Sequence, residues 1–283
     1  MTEAASTQIW LPAGAISFAL AVLLGTLALA TDLPDGKVRS LARPAIAVLA
    51  CLYAVYLPLK AQSLTEVPLA ELPGAIRLVL LHTHDGAMWA VGMAGALAAA
   101  AAMARVGKLS MPTIAACLLP CLLAKAATGH AAELGLTSPF VWLHALHIGA
   151  GCGWAGSVCI AWLALHRRWY ADAWPEAMTH RLSQFCAACL TIAAMSGIVN
   201  LWRLPGFASA GFGPYERWLA AKLIIATCAA GLGAWNRWHG VPLAARGHET
   251  ARRALRATLA IELALLAAAI LLAAILASTA PSM

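Results

Sequence analysis

Charged residues are scarce in this sequence: Asp, Glu, Lys and Arg make up 11% of its 283 residues, whereas hydrophobic residues make up 62%. So little charge cannot cover the surface of a soluble domain of this length. The charges that are present favour the basic sign, with 19 Lys and Arg against 12 Asp and Glu. Membrane proteins accumulate such an excess in their cytoplasmic loops. We therefore interpret the net charge of +7 as a topology signal and expect no nucleic-acid partner.

The sequence also lacks a nucleotide-binding P-loop motif and a polar segment long enough to form a separate soluble domain. A P-loop cradles the phosphates of a nucleotide with backbone N–H groups, and no other segment here offers that arrangement. These two absences argue against transport driven directly by ATP.

Apolar stretches recur along the whole chain, and each is near the roughly 20 residues that a helix needs to cross the hydrocarbon core. Backbone polar groups in lipid must be satisfied within each segment, so the stretches predict helices. We predict an all-α integral membrane protein, an antiparallel bundle of eight transmembrane helices that forms a single transmembrane domain over residues 1–283. The predicted spans lie near 9–30, 44–62, 75–104, 112–131, 139–166, 178–202, 214–237 and 254–277.

Basic residues concentrate in alternate connections of this bundle. The connections after predicted helices 1, 3, 5 and 7 hold 13 of the 19 Lys and Arg residues. The positive-inside rule places these connections in the cytoplasm and both termini on the outer, periplasmic side. The 13 residues are Lys37, Arg39, Arg43, Arg105, Lys108, Arg167, Arg168, Arg181, Arg237, Arg246, Arg252, Arg253 and Arg256.

Five of the nine histidines fall in the outer third of predicted helices 3, 4 and 5, roughly 0–13 Å below the membrane surface at 1.5 Å per residue. His144 and His147 are spaced i, i+3 and project from one face, next to the short connection that follows His130. His82 and His84 are about 200° apart on an ideal helix, so both join one site only if helix 3 is distorted or the site is split.

Imidazole and thioether groups suit copper, and Met88 shares a helix face with His84. A set of three or four histidines with Met88 would hold copper as Cu(I) or Cu(II), although zinc fits the same ligands. A single intramembrane histidine more often makes a hydrogen bond between helices. Five histidines at one depth nevertheless favour a metal site, because ionisable residues inside spans are costly and mark functional positions.

Four cysteines offer a weaker candidate for an inner copper path. Cys117 and Cys121 are one turn apart on predicted helix 4, and Cys186 and Cys189 are spaced i, i+3 on helix 6. Thiolates suit Cu(I), so a gradient from outer His and Met to inner Cys would conduct it. Cysteine also packs as a small apolar residue, and we favour this second interpretation.

Two further features lie on the later helices. Lys222 and Glu262 are charged residues on predicted helices 7 and 8, and their predicted depths near the middle of the bilayer favour a mutual ion pair over a proton or ion path. The glycine-rich run from Gly149 to Gly156 predicts a face at which another helix approaches helix 5 closely.

Several short motifs follow one another from predicted helix 3 to the C-terminal end. Through these motifs, residues 75–283 resemble the CopD family of bacterial copper-resistance and copper-transport membrane proteins. The motifs are Thr83-His84-Asp85-Gly86, Thr128-Gly129-His130-Ala131, His144 followed by Gly153-Trp154-Ala155-Gly156, Arg181-Leu182-Ser183, Pro214-Tyr215, Lys222, Asn236-Arg237 and Glu262.

The resemblance implies a multi-pass protein of the bacterial inner (cytoplasmic) membrane that moves copper. It also implies copper contact by His84, His130 and His144. Members of the family often act beside a periplasmic copper-binding protein of the CopC type, which here would be a separate chain.

These observations lead us to expect a copper permease, without enzymatic activity, that takes copper from the periplasm toward the cytoplasm through an outer-leaflet His/Met site. A b-type haem-binding membrane oxidoreductase is the alternative, because histidines on facing helices can supply both axial ligands of a haem. A third alternative is a copper sensor or assembly factor that binds copper without translocating it.

Overall fold

The computed structural model of the chain describes residues 3–34, 36–105, 111–128, 138–170, 176–203, 213–246 and 249–279. Within these ranges the regular elements are helices, and no strand occurs. A 3₁₀ turn precedes α3 over Leu69–Glu71, and a π-helical turn over Asn236–Gly240 joins α8 to α9. The helices are α1 (Glu3–Ala28), α2 (Lys37–Thr65), α3 (Leu72–His82), α4 (His84–Ala104), α5 (Met111–Ala126), α6 (Pro139–His166), α7 (Glu176–Trp202), α8 (Pro214–Trp235), α9 (Val241–Ala245) and α10 (Glu249–Leu276).

Seven helical stretches among the described residues are long and apolar enough to cross a membrane. This confirms that the chain is an all-helical, multi-pass membrane protein. The remaining predicted span, the fourth, near 112–131, corresponds to α5, an apolar helix of 16 residues, which is shorter than the roughly 20 residues of a full crossing. The seven stretches are Ile9–Ala28, Lys37–Thr65, His84–Ala104, Pro139–His166, Met178–Trp202, Pro214–Ala244 and Glu249–Leu276.

The span predicted over residues 75–104 is wrong as a single helix, because the chain breaks at Thr83 into α3 and α4. Thr83 adopts an extended conformation with φ −122° and ψ 154°. Its hydroxyl accepts a hydrogen bond from the backbone N–H of Gly86 at 3.1 Å and donates one to the carbonyl of Val79 at 2.6 Å. A Cβ atom on Gly86 would lie 2.6 Å from the Cα of Leu80, so the two helices meet here only because Gly86 has no side chain.

The centre of the bundle is formed by α1 and α6. α1 contacts α2, α5, α6 and α10, while α6 contacts α1, α5, α7 and α10. The two helices cross where Gly25 lies against Gly156: a Cβ on Gly25 would lie 2.6 Å from the backbone nitrogen of Ser157, and one on Gly156 would overlap the carbonyl oxygen of Ala21. The glycine-rich run therefore does bring a second helix close, as predicted, and that helix is α1.

The two ends of the bundle differ in the polar and charged side chains that lie there. At one end, Arg181 contacts Asp32 with 2.7 Å between Nε and Oδ2, and the ammonium of Lys37 lies 5.2 Å from the ring centre of Trp169. The last residues of α1 and α6 and the first residues of α2 and α7 meet here. We call this side of the bundle the arginine end. At the opposite end, the ammonium of Lys125 donates to the carbonyl of Ala13 at 2.9 Å. We call that the histidine end, because His84, His144 and His147 lie there.

Candidate functional site

His84 is the first residue of α4, directly after the break at Thr83. Its Nε2 lies 2.7 Å from the carbonyl oxygen of Ala127, which follows the end of α5. A carbonyl oxygen only accepts hydrogen bonds, so Nε2 carries the proton and Nδ1 keeps a lone pair. Met88, one turn further along α4, packs against a small buried cluster formed by Ala126, Ala127, Val141 and Ala145. His84 and Met88 thus lie next to each other where α4 meets α5, on the helix face that the sequence predicted.

His144 and His147 share one face of α6, as their spacing predicted, and that face is turned toward α7. The Nδ1 atom of His147 lies 3.0 Å from the carbonyl of Ala193 and 3.1 Å from the hydroxyl of Ser196. The amide nitrogen of Asn200 lies 3.4 Å from Nδ1 of His144. The two imidazole rings stack with their centres 6.2 Å apart and an interplanar angle of 12°.

The hydrogen bond from His147 Nδ1 to the Ala193 carbonyl determines which ring nitrogen remains available. Nδ1 donates, so the Nε2 atom of the neutral ring has the lone pair. Histidines that bind metals usually have their second nitrogen held in this way by a carbonyl or carboxylate, which orients the ring. His84 and His147 have the same arrangement: one ring N–H is donated to a backbone carbonyl, and in the neutral ring the other nitrogen carries a lone pair.

The structure separates these histidines into two groups on different sides of α6. Val141 and Ala145 are the α6 residues that pack toward Met88, whereas His144 and His147 point to α7. Within the described parts of the chain, no three His, Cys, Asp or Glu side chains are grouped closely enough to hold a metal ion. The fifth predicted ligand, His130, falls in residues 129–137 and lies outside the described residues.

His82 ends α3 and is exposed, on the other side of the break from His84. Asp85, three residues later, pairs with Lys60 of α2, with 3.2 Å between Oδ2 and Nζ. The helix is distorted between the two histidines, which is the condition under which both were expected to reach one site. The described residues do not bring a further ligand to them.

Sequence reasoning missed two polar residues of α7 that contact the histidines of α6. Ser196 is buried against His147, and Asn200 contacts His144. The two are spaced i, i+4 and therefore share one face of the last turns of α7, whose other residues from Ile192 to Trp202 are apolar. That spacing was a readable signal, because polar residues inside a span seek partners on neighbouring helices.

The four cysteines of the predicted inner path lie in two separate helix contacts. The thiol of Cys121 donates to the carbonyl of Gly92 at 3.2 Å, and Cys117, one turn earlier, lies in the same α4–α5 contact. On α7, Cys189 packs against Gly153 of α6, where a Cβ on the glycine would lie 3.1 Å from Sγ. Cys186 is the partly buried neighbour of Cys189. Each pair fills a close approach between two helices, which fits the packing role that we favoured.

The ion pair predicted between Lys222 and Glu262 is not formed. Both oxygens of the Glu262 carboxylate accept from other groups: Oε1 from the indole N–H of Trp154 at 3.0 Å and Oε2 from the amide of Asn236 at 2.8 Å. A Cβ on Gly233 would lie 2.8 Å from Oε1. Lys222 is eleven residues before Gly233 on α8, about 16 Å away along the axis, so it lies at another depth.

Glu262 is therefore the centre of a buried polar network that joins three helices. Its side chain is 2% exposed, and its donors come from α6 and from the π-helical turn after α8. The hydroxyl of Thr258 lies 2.6 Å from Oδ1 of Asn236, which fixes the amide so that its nitrogen faces Glu262. Next to Asn236, the guanidinium of Arg237 donates to the carbonyl of Ser183 on α7 at 2.7 Å. Motif residues that are distant in sequence thus meet in one place.

Comparison with known proteins gives one match. The family model described as CopD, Copper resistance protein D, matches residues 176–276. The matched segment contains α7 to α10 with Ser183, Lys222 and Glu262, but it does not reach His84 or His147. Neither a curated protein nor a solved structure matches the chain. The match confirms the resemblance over residues 176–276, and it does not cover the histidines of α4 and α6.

Proposed function

With residues 176–276 recognised as CopD, we propose that this membrane protein binds copper at its histidine end and carries it from the periplasm toward the cytoplasm. The copper ion is the substrate of the protein. Its proposed ligands are His84 with Met88 on one side of α6 and His144 with His147 on the other, and His130 and His82 remain predicted additions.

The hydrogen bonds of two imidazole rings are the observation that supports this proposal. His84 and His147 each donate one N–H to a backbone carbonyl and keep the other nitrogen as a lone pair. Neutral imidazole nitrogens and a thioether are ligands that copper accepts in either oxidation state. These bonds also join neighbouring helices, and a ligand gains from them because its ring is oriented before copper arrives.

The direction of transport rests on the proposed topology of eight crossings with both termini in the periplasm. α5 supports the eighth crossing because it runs antiparallel to α4: Gly95 lies beside Cys117, and His84, near the other end, lies beside Ala127. Gly14 of α1 lies beside Leu271 of α10, so the outer halves of the first and last helices meet at the histidine end. The arginine end then faces the cytoplasm. The test is a reporter that works only in the cytoplasm, fused after residue 283. Activity of this fusion would refute the topology.

Copper binding is tested by metal analysis of the purified protein after loading with Cu(I) or Cu(II). The variant His144→Ala/His147→Ala should bind less copper than the wild type, because it removes one of the two histidine groups. His180→Ala is the matched control, since His180 is an exposed histidine of α7 near the arginine end. Equal copper in the wild type and the double variant would contradict the assignment of this pair.

Transport is tested separately with proteoliposomes. Uptake of copper by the wild type and its loss in the double variant support a permease. Copper binding without uptake would instead favour a sensor or assembly factor. A strong Soret band in the visible spectrum of the purified protein would overturn the copper assignment in favour of haem.

We also propose that a separate CopC-like periplasmic protein delivers the copper. The corresponding measurement is whether such a protein stimulates copper uptake.

A further inference from the structure

A cavity at the arginine end, between the end of α6 and the first turns of α10, is lined by several guanidinium groups. We call it the arginine pocket. It lies apart from the histidine groups and from the Glu262 network. Its polar lining consists of Arg168, Tyr170, Glu249, Arg252, Arg253 and Arg256.

Arg168 occupies a backbone position that normally belongs to glycine. The helix α6 ends in a Schellman motif: the N–H of Arg168 donates to the carbonyl of Leu165 at 3.4 Å, and the N–H of Trp169 donates to the carbonyl of Ala164 at 3.0 Å. In this motif the residue directly after the helix cap, here Arg168, takes a left-handed conformation and is usually glycine. Arg168 has φ +49°, so the side chain is kept at a conformational cost. Such outliers persist where the side chain has a use.

The side chain of Arg168 reaches Glu249 at the start of α10, with 3.7 Å between Nη2 and Oε1. The same carboxylate oxygen lies 3.4 Å from Nε of Arg253. One carboxylate is thus shared by two arginines, and all three side chains are half or more exposed. The ion pairs hold the rim of the pocket together and leave most guanidinium N–H groups available to another acceptor.

Arg252 and Arg256 lie one turn apart on the same face of α10 and line the same pocket. Like charges at this spacing repel each other, and an anion bound in the pocket would relieve that repulsion. Tyr170 adds no negative charge: burial and the nearby Asp32 raise its pKa to about 12, and its hydroxyl donates to the Asp32 carbonyl. Among the described residues that line the pocket, four are arginines and one is a carboxylate.

The position of the pocket indicates which anion reaches it. α6 and α10 are membrane-spanning stretches that end and begin here, so the pocket lies at the depth of the lipid headgroups. Basic pockets between transmembrane helices bind phosphate-bearing headgroups on the cytoplasmic side of membranes. The planar guanidinium fork matches phosphate oxygens with two parallel hydrogen bonds.

We propose that the arginine pocket is a phosphate-binding site, in which Arg168, Arg252 and Arg256 hold the phosphate of an anionic phospholipid such as phosphatidylglycerol. Arg253 and Glu249 fix the position of Arg168 at its rim. The site would tie the end of α6 to the start of α10. It is independent of copper binding, while its cytoplasmic placement rests on the proposed topology.

The test measures the thermal unfolding temperature of the full-length protein in neutral detergent with added phosphatidylglycerol, phosphatidylcholine or inorganic phosphate. At a ligand concentration about 100-fold above Kd, linkage predicts an increase in Tm of roughly 5–10 °C. An increase with phosphatidylglycerol alone identifies a lipid headgroup, and an increase with inorganic phosphate identifies phosphate from solution. No increase with either overturns the proposal.

Arg252→Gln/Arg256→Gln should abolish this increase. Its matched control is Arg43→Gln/Arg167→Gln, which removes two exposed charges from the same end of the bundle but outside the pocket. An equal increase in both double variants would refute the site, because general attraction to anionic lipid does not depend on which charges are removed.

Arg168→Gly separates stability from binding. Glycine suits the left-handed position, so the unfolding temperature without ligand should stay the same or rise. The increase caused by phosphatidylglycerol should nevertheless shrink, because one phosphate donor is missing. An undiminished increase would show that Arg168 has no part in the site, and the proposal as stated would fail.

Discussion

The contact between Gly156 and α1 can be tested by adding a single methyl group. In Gly156→Ala the new Cβ would overlap the carbonyl oxygen of Ala21 and lie 2.9 Å from the backbone nitrogen of Gly25. Both are backbone atoms of a central helix, so no side chain can rotate to make room. α1 and α6 must therefore separate along their whole contact, or α6 must bend.

Gly151→Ala is a matched control on the same helix. A Cβ on Gly151 meets no atom within 4 Å, so this variant receives only the gain in helix propensity, about 1 kcal/mol. Gly156→Ala receives the same gain and also a cost of overpacking, typically about 1–3 kcal/mol. The propensity term cancels when the two variants are compared. The difference in their free energies of unfolding should therefore be about 1–3 kcal/mol, with Gly156→Ala the less stable.

The measurement is reversible unfolding of the purified protein in mixed micelles, with a rising fraction of denaturing detergent and helix content as the readout. Gly25→Ala provides a second approach to the same contact, because its Cβ would lie 2.6 Å from the nitrogen of Ser157. Equal stability of the Gly156 and Gly151 variants would refute the close approach of α1 and α6 described above.

Two further predictions concern buried polar groups. Glu262→Ala leaves the donors of Trp154 and Asn236 without acceptors, and hydrogen bonds between transmembrane helices are worth about 0.6–1.7 kcal/mol each. The free energy of unfolding should fall by about 1–3 kcal/mol, measured in the same micelles. Ser196→Ala removes a side-chain contact of His147 but leaves its bond to the Ala193 carbonyl. Copper affinity should fall by up to about 10-fold in a competition titration. This is the lower end of the loss of metal affinity expected when a group that orients a ligand is removed.

Each of these two variants has its own control. Thr258→Val removes a hydrogen bond one step away from the Glu262 carboxylate, so it should destabilise less than Glu262→Ala; the reverse order would contradict the central place of Glu262. Thr191→Val removes an exposed hydroxyl of α7 that bonds only within its own helix. A loss of copper affinity equal to that of Ser196→Ala would show that Ser196 acts through the helix and not through His147.

The helices themselves could be predicted from sequence because membrane spans depend on local length and composition. The break at Thr83 was not located, since the stretch 75–104 is apolar on average even though the polar run 82–85 lies within it. A capping signal was present, because a threonine followed by an acidic residue in the next turn is typical of a helix start. Hydropathy averages over such a signal, whereas the hydrogen bonds of the Thr83 hydroxyl depend on single atoms.

Depth and rotation were harder to predict than the spans. The error for Lys222 and Glu262 arose because the predicted span ended at residue 237, although the helical stretch continues to Ala244. In the structure Gly233 lies beside Glu262, and Lys222 lies nearer the histidine end. Similarly, the spacing of His144 and His147 predicted a shared face, but only the packing of α6 shows that this face meets α7.

The crossing of Gly25 and Gly156 also determines the order in which the protein can mature. These residues are about 130 positions apart in the chain, and at 5–20 residues per second the ribosome needs roughly 7–26 s between them. During that interval α1 is already in the membrane with its glycine face open to lipid. α1 can pack against α2 early, but it completes its contacts only after α6 has entered the membrane.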